Sequence, residues 1–239
     1  MSLAIEPRAF TTTVLSSKDE AAHARTIRVA VPEDFVFIPG MWVMTRFEDD
    51  PKTWRAYSIS SSPFEKSFVE LTVAKAGEFS ERLCAAPVGA ALMVRGPYGK
   101  WVYRDDARSA VLISGGTGLT PFRAMARYVL DKKLPNKLTI VYSVKRPEEI
   151  IYREDLERFR EAGIKVYTTV TRPGARGWSG PTGRVDLAVL EREVEDFDGS
   201  WYFLCGPNAM VKELSAALTA RGIPPERVRT EKWGDYQDL

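Results

Sequence analysis

The chain has 239 residues, 44% hydrophobic and 28% charged, with 34 Lys and Arg against 32 Asp and Glu for a net charge of +2. That length suits two domains, and the composition is that of an ordinary globular protein rather than a disordered, collagen-like or fibrous one. The near balance of charge excludes a chain built as a whole for nucleic acid, and two cysteines, Cys84 and Cys205, exclude a disulfide framework or a four-thiolate metal or iron–sulfur cluster within it.

Taken from the N-terminus, the chain opens on a polar stretch. Its single histidine, His23, lies among Ala21, Ala22 and Ala24 and reads as a turn or surface residue rather than a catalyst. With one histidine, a histidine triad or multi-histidine metal site has no support, and no metal is expected. Short β-branched or aromatic runs follow at 25–31, 42–47, 56–60, 68–74 and 91–94, separated by Pro and Gly. Strands at that spacing, with turn residues between them, predict an antiparallel sandwich or barrel. One helical stretch interrupts them, capped by Ser80 and stopped at Pro87.

Near 105–108 the rhythm changes, so the expected domains are 1–105 and 106–239. Residues 110–114 read as a buried strand. A glycine turn follows, then a helix with Phe122, Met125, Ala126, Val129 and Leu130 on one face. Strands are expected at 138–142, 164–170, 201–205 and 228–233, with helices at 148–162 and 186–194 and around Met210–Leu218. The helix at 148–162 would present Tyr152, Leu156 and Phe159 together. Strand–helix alternation of this kind predicts a doubly wound parallel sheet. No apolar run reaches the ~18 residues of a membrane helix. Glu6, Pro7 and Arg8 stand where a signal peptide needs an apolar core, so a cytoplasmic chain without membrane insertion is the expectation.

Gly115, Gly116, Thr117, Gly118, Leu119, Thr120 and Pro121 join the first buried strand to its helix. Glycine permits the sharp turn, and Pro121 fits a first helical turn, where its missing N–H is not needed. Small residues before a helix N-terminus, at the C-terminal edge of a parallel sheet, suit a nucleotide phosphate. The turn is neither the G-x-G-x-x-G dinucleotide fingerprint nor a Walker loop.

Six segments in order carry a resemblance: Arg55-Ala56-Tyr57-Ser58 followed by Ser60, Ser61, Ser62 and Pro63; Gly77-Glu78-Phe79-Ser80 with Leu83; Gly96-Pro97-Tyr98-Gly99; Gly115 to Pro121; Cys205-Gly206-Pro207; and Glu231-Lys232-Trp233. Together the set resembles the ferredoxin–NADP reductase family of two-domain flavoproteins. The resemblance implies a Greek-key β-barrel that holds FAD and an α/β domain that holds a nicotinamide nucleotide. In it Tyr57 lies against the flavin ring, Arg55 pairs with a phosphate, and Ser58 places a hydroxyl near flavin N5. Gly77, Glu78, Phe79 and Ser80 sit at the pyrophosphate, and Ala56, Thr72 and Val73 complete the flavin contacts. Gly116, Thr117, Gly118, Thr120, Pro121, Gly206 and Pro207 would receive the nucleotide.

Three residues are implied to act on hydride transfer from nicotinamide C4 to flavin N5: Ser58, Cys205 and Glu231. By residue type alone Cys205 is a small buried hydrophobe ending a strand, and Glu231 a solvated strand-end charge. The resemblance instead brings both to the nicotinamide. Cys84 has no such match. Trp233 is either a core aromatic or the ring that stacks on the flavin, with Tyr236 a second candidate for that role. Ser143, Lys145 and Arg146 at a strand end, with Arg172 and Arg184 beyond, offer cations for a 2′-phosphate and predict NADPH over NADH. The expected activity is that of a FAD-dependent NAD(P)H oxidoreductase. Its acceptor would be a ferredoxin, a flavodoxin or an oxygenase component on a separate chain. A free-flavin or diaphorase-type reductase, or a non-catalytic electron-transfer subunit, are the alternatives.

Overall fold

The computed structural model describes residues 5–174 and 177–232. Contacts gather the chain into two units, one running to Tyr103 and including Arg123–Lys132, the other holding Arg104–Phe122 and the chain from Lys133 onward.

In the first unit six strands form one antiparallel sheet: β1 (Arg8–Ala21), β2 (Ala24–Ala30), β3 (Trp42–Phe47), β4 (Arg55–Ser58), β5 (Phe68–Ala74) and β6 (Ala91–Tyr98). Their order is β4-β3-β6-β1-β2-β5. Alternation along each strand sends one set of side chains inward. Val69, Leu71 and Val73 of β5 meet Ile27 and Val29 of β2, Val43 of β3, and Leu92 and Val94 of β6, all fully buried. A bridge between Ile59 and Leu71 brings the two end strands of that order together and nearly closes the sheet into a barrel. The helix α1 (Glu78–Ala85) covers one opening with Leu83 and Cys84.

Two expectations change here. The polar N-terminal stretch is β1, a strand of 14 residues. It carries almost no apolar alternation because only Thr12 and Val14 face fully inward. Pairing on both sides holds it instead, with β2 from Val14 to Ala21 and with β6 from Arg8 to Thr13. His23 lies in the turn from β1 to β2. Second, Ser80 does not cap α1. The N-cap is Gly77, and Ser80 lies in the first turn, its hydroxyl accepting from Ala76 N–H at 2.9 Å and donating to Gly77 O at 2.8 Å.

The second unit is a five-stranded parallel sheet in the order β11-β10-β7-β8-β9. Its strands are β7 (Ser109–Gly115), β8 (Lys137–Val144), β9 (Lys165–Val170), β10 (Trp201–Gly206) and β11 (Val228–Lys232). Its helices are α3 (Arg153–Glu161), α4 (Leu187–Glu193) and α5 (Asn208–Ala220), while α2 (Thr120–Asp131) starts in this unit and from Arg123 belongs to the first. β7 is buried along its whole length, as its apolar run requires. On one face Val111, Ile113, Val141 and Leu204 pack against Leu190 of α4 and Leu214 and Leu218 of α5.

A 3-10 turn, Gly116–Leu119, separates β7 from α2. The helix expected at 148–162 is broken. A 3-10 turn covers Pro147–Glu149, and α3 starts only after Tyr152, which has φ 56° and ψ 36°. Ile150, Ile151 and Tyr152 are all buried. Three consecutive inward side chains exceed what one helical stripe accommodates, so the chain stays irregular until Tyr152. Trp233 and Tyr236 lie outside the described residues. No helix among the described residues is long and apolar enough to cross a membrane.

Candidate active site

On the barrel, the register of β4 against β3 pairs Arg55 with Thr45, Ala56 with Met44, Tyr57 with Val43 and Ser58 with Trp42. Arg55 is exposed, whereas Ala56, Tyr57 and Ser58 are half-buried. The Tyr57 ring packs against the barrel core, and that burial pushes its phenol well above the ordinary tyrosine range. The Arg55 guanidinium lies 5.8 Å from the centre of the Phe79 ring, so β4 and the start of α1 meet. No side chain caps α1, leaving its first N–H groups without a capping side chain, although Glu78 and Glu81 bring negative charge to the same turn. Val73 is turned into the core and the Thr72 hydroxyl stands 2.8 Å from that of Thr26.

On the parallel sheet, the glycine turn is shaped by two different constraints. A Cβ on Gly118 would come within 2.2 Å of Cys205 O, so the turn packs directly on the end of β10. Gly116 has φ +57° with open space where a Cβ would be, which leaves its backbone approachable. Thr117 and Thr120 are buried, and the Thr120 hydroxyl donates to Thr117 O at 2.7 Å, bracing the turn. Pro121 is the second residue of α2. The added methyl of an alanine at Gly115 would meet Pro207, so Gly206-Pro207 after β10 borders the same turn.

Register aligns five polar side chains across this sheet. Ser114 pairs with Cys205 on one side and Tyr142 on the other, Cys205 pairs with Glu231, and Tyr142 with Thr168. Residues paired in this way point to the same face. Ser114, Cys205 and Glu231 each stand one residue before the end of their strand. Ser114 Oγ, Thr168 Oγ1 and Glu231 Oε2 are buried atoms with no hydrogen-bond partner among the described residues. Burial alone pushes the Glu231 carboxyl up to about 7. Neither Ser114, Tyr142 nor Thr168 stands out in the sequence. Only the register across β7, β8 and β9 reveals them, although Ser114 directly precedes the glycine turn.

The cations gather at the neighbouring strand ends. Arg172 N–H donates to Lys145 O at 2.7 Å, continuing the pairing of β8 and β9. Gly183, just before Arg184, donates to Val170 O at 3.1 Å and accepts from the Thr169 hydroxyl at 2.9 Å. Backbone therefore brings Lys145, Arg172 and Arg184 to one edge. Arg146 faces Glu148 at 3.9 Å, and Lys145 N–H donates to Glu149 Oε2 at 3.3 Å. Ser143 is half-buried on β8. No cluster of three or more metal-ligating side chains occurs among the described residues.

These features fit the groups that the sequence implies. The crowded Gly118, the open Gly116 and the unpartnered Ser114 and Glu231 atoms suit a nucleotide laid across the strand ends, where parallel sheets take ligands. An arginine, a half-buried aromatic and a hydroxyl on one short strand suit a flat ring with a phosphate tail. An antiparallel barrel followed by a doubly wound sheet, each with a candidate site of this kind, is the class of fold that binds a flavin and a nicotinamide nucleotide.

Comparison with known proteins bears this out. The oxidoreductase FAD-binding domain family matches residues 12–103, and the oxidoreductase NAD-binding domain family matches residues 112–216. The chain belongs to the ferredoxin–NADP reductase-like family of FAD- and NAD-binding flavoprotein reductases. It is 31% identical over 212 residues to the glycine betaine monooxygenase reductase subunit of Chromohalobacter salexigens, covering 85% of this chain and 58% of that protein. It thus spans little more than half of that relative. It is also 28% identical to NADH-cytochrome b5 reductase 1 of Emericella nidulans, over 93% of this chain and 78% of that one. In fold it resembles the ferredoxin reductase in carbazole 1,9a-dioxygenase, with a TM-score of 0.87, 24% identity, and coverage of 97% of this chain and 71% of that one. A ferredoxin NADP+ reductase from Neisseria gonorrhoeae with bound FAD and NADP gives a TM-score of 0.77 at 21% identity, covering 91% and 93%.

Proposed function

We propose that this flavin-dependent NAD(P)H reductase uses NADPH in preference to NADH and passes electrons to a redox protein on a separate chain: a ferredoxin, a flavodoxin or an oxygenase component. The observation that carries the nucleotide reading is the Ser114–Cys205–Glu231 row beside the glycine turn, with two buried oxygens unpartnered. FAD, held by Arg55, Tyr57 and Ser58, would supply the hydride acceptor and the one-electron output of this chemistry. The protein's part is to bind, orient and exclude water. Arg55 takes the flavin phosphate, Tyr57 lines the ring and Ser58 offers its hydroxyl to the ring's polar edge. Backbone N–H groups of Gly116–Gly118 hold the pyrophosphate. Glu231 holds the nicotinamide carboxamide, a group that both donates and accepts, by a carboxyl that exchanges its proton near neutral pH. Cys205 gives that ring a small, soft neighbour.

Lys145, Arg172 and Arg184 on one edge support the choice of NADPH, since a 2′-phosphate wants converging cations. A relative named as the reductase subunit of a monooxygenase, and another named as a sulfhydrogenase subunit, support a protein acceptor over free flavin. The test is an anaerobic titration of the FAD-loaded chain with NADPH and, separately, NADH, followed by the visible flavin band. Bleaching by either nucleotide, with the higher kcat/KM for NADPH, is the expected result. A yellow protein that neither nucleotide bleaches ends the reductase reading, and a higher kcat/KM for NADH ends the NADPH preference.

A further inference from the structure

The strand that carries Arg55, Tyr57 and Ser58 is the least secured in the barrel. β4 has four residues, lies at one end of the strand order and is paired only with β3. A short edge strand is weakly fixed by its own ladder. Beyond Ile59, Ser60, Ser61 and Ser62 are all fully buried. Their hydrogen bonds go to a small set of charged residues. Ser60 N–H and its hydroxyl both donate to Glu70 O, at 2.8 and 3.0 Å, and Glu70 N–H donates to the Ser61 hydroxyl at 3.1 Å. Arg123 Nη1 donates to Ser60 O at 3.2 Å and to Glu70 Oε2 at 2.5 Å. Ser62 N–H donates to Glu65, which in turn receives Arg127.

Glu70 is the centre of this group. Its side chain is 8% exposed, and it also receives Arg28 at 2.7 Å and faces Arg127 at 3.6 Å. Burial pushes its carboxyl up, but Arg123 and Arg28 outweigh that and hold it below the ordinary glutamate range. A buried ion pair of this kind is weak evidence for added stability, because desolvation offsets the attraction. What it does is fix geometry: the carboxylate holds Arg123, whose Nη1 also reaches Ser60 O, two residues beyond the flavin strand. Apart from one bridge, Ile59 to Leu71, the bonds of Ser60 and Ser61 to the Glu70 backbone are how β4 is joined across to β5.

We propose that Arg123, oriented by the Glu70 carboxylate, is a positioning residue for the flavin: by holding Ser60 O, beside the pairing of Ser60 and Ser61 with the Glu70 backbone, it keeps the neighbouring Tyr57 and Ser58 where the ring binds. This rests on the reading of β4 as the flavin strand. The test measures FAD affinity of apoprotein by fluorescence quenching, the visible band shape of the bound flavin, and the melting curve of the apoprotein, for wild type, Arg123→Gln, Arg123→Lys and Ser61→Ala. Losing a charge-assisted bond raises Kd for FAD about tenfold in Arg123→Gln, and losing a neutral one raises it about threefold in Ser61→Ala. Both variants shift the flavin band, and Arg123→Lys, which keeps the charge, recovers most of the loss. Should Arg123→Gln fail to fold, Ser61→Ala decides alone. Folded variants that bind FAD within about twofold of wild type, with an unchanged band, overturn the proposal. Wild-type protein that binds no FAD overturns the flavin reading itself instead.

Discussion

At Gly118 a single methyl group would collide with the backbone oxygen of Cys205, 2.2 Å away, and backbone has nowhere to yield in a buried sheet. Gly118→Ala is therefore expected to lower stability by about 3 kcal/mol and to abolish nucleotide binding. Gly116→Ala meets no atom but must hold φ +57°, a strain of about 1–2 kcal/mol. Urea unfolding of both variants checks the ranking, and equal losses would mean that packing on β10 is not the constraint. Glu231 makes a prediction of a different kind. Folded, it keeps its proton up to about 7, whereas unfolded it loses it at the ordinary glutamate value. Between those two values the folded state binds more protons, so stability falls as pH rises through that window and levels off above it. The loss amounts to about 3 kcal/mol. Glu231→Gln removes this dependence, so wild type and variant should converge near the acid end and diverge by about that amount at about pH 8. A parallel pH course in the two proteins would show that the carboxyl titrates normally.

At the scale of elements, the sequence announced those strands whose burial alternates or is continuous. β3 and β5 match their runs to the residue, and β7 follows from unbroken apolar burial. It hid β1, where Thr, Ser, Lys and Asp fill a strand held by two ladders rather than by an apolar face. It also hid the break before α3, because Tyr152 reads as a helical-face aromatic until its left-handed backbone is seen. The site divides in the same way. Arg55, Tyr57, Ser58, the glycine turn and Cys205 belong to local motifs that adjacent residues display as candidates. Ser114 beside Cys205, and Glu70 beneath Ser60, are products of register and long-range pairing that no local pattern carries. Asp186 is a case where a local signal suffices: expected at the start of α4, it caps that helix by accepting from Val189 N–H at 2.9 Å. Asp186→Ala should cost about 1 kcal/mol, measured by urea denaturation, while Asp186→Asn retains most of the cap. An alanine variant as stable as wild type would mean that α4 is held by Leu190 in its core rather than by its first turn.

At the scale of the whole molecule, both ligands are expected to bind the folded chain and not the unfolded one, because each site is assembled from several strands. On the proposed reading, β4, β5 and α1 make the first, and the ends of β7, β8, β10 and β11 make the second. Ligand free energy then adds directly to folding free energy. FAD at a hundred times its Kd contributes about 2.7 kcal/mol. For a chain of this size each kcal/mol moves Tm by about 2–4 °C, so FAD should raise the melting temperature of the apoprotein by about 5–10 °C. Oxidised nucleotide, which cannot reduce the flavin, isolates the second site. NADP+ at a hundred times its Kd should raise Tm by a similar amount, and the rise should vanish in Gly118→Ala, provided that variant is compared at a temperature where it is folded. NAD+ at equal concentration should give a smaller shift if Lys145, Arg172 and Arg184 receive a 2′-phosphate. Equal shifts from the two nucleotides would separate those cations from specificity while leaving the glycine turn as the pyrophosphate site. A melting temperature indifferent to FAD would remove the flavin from the barrel altogether.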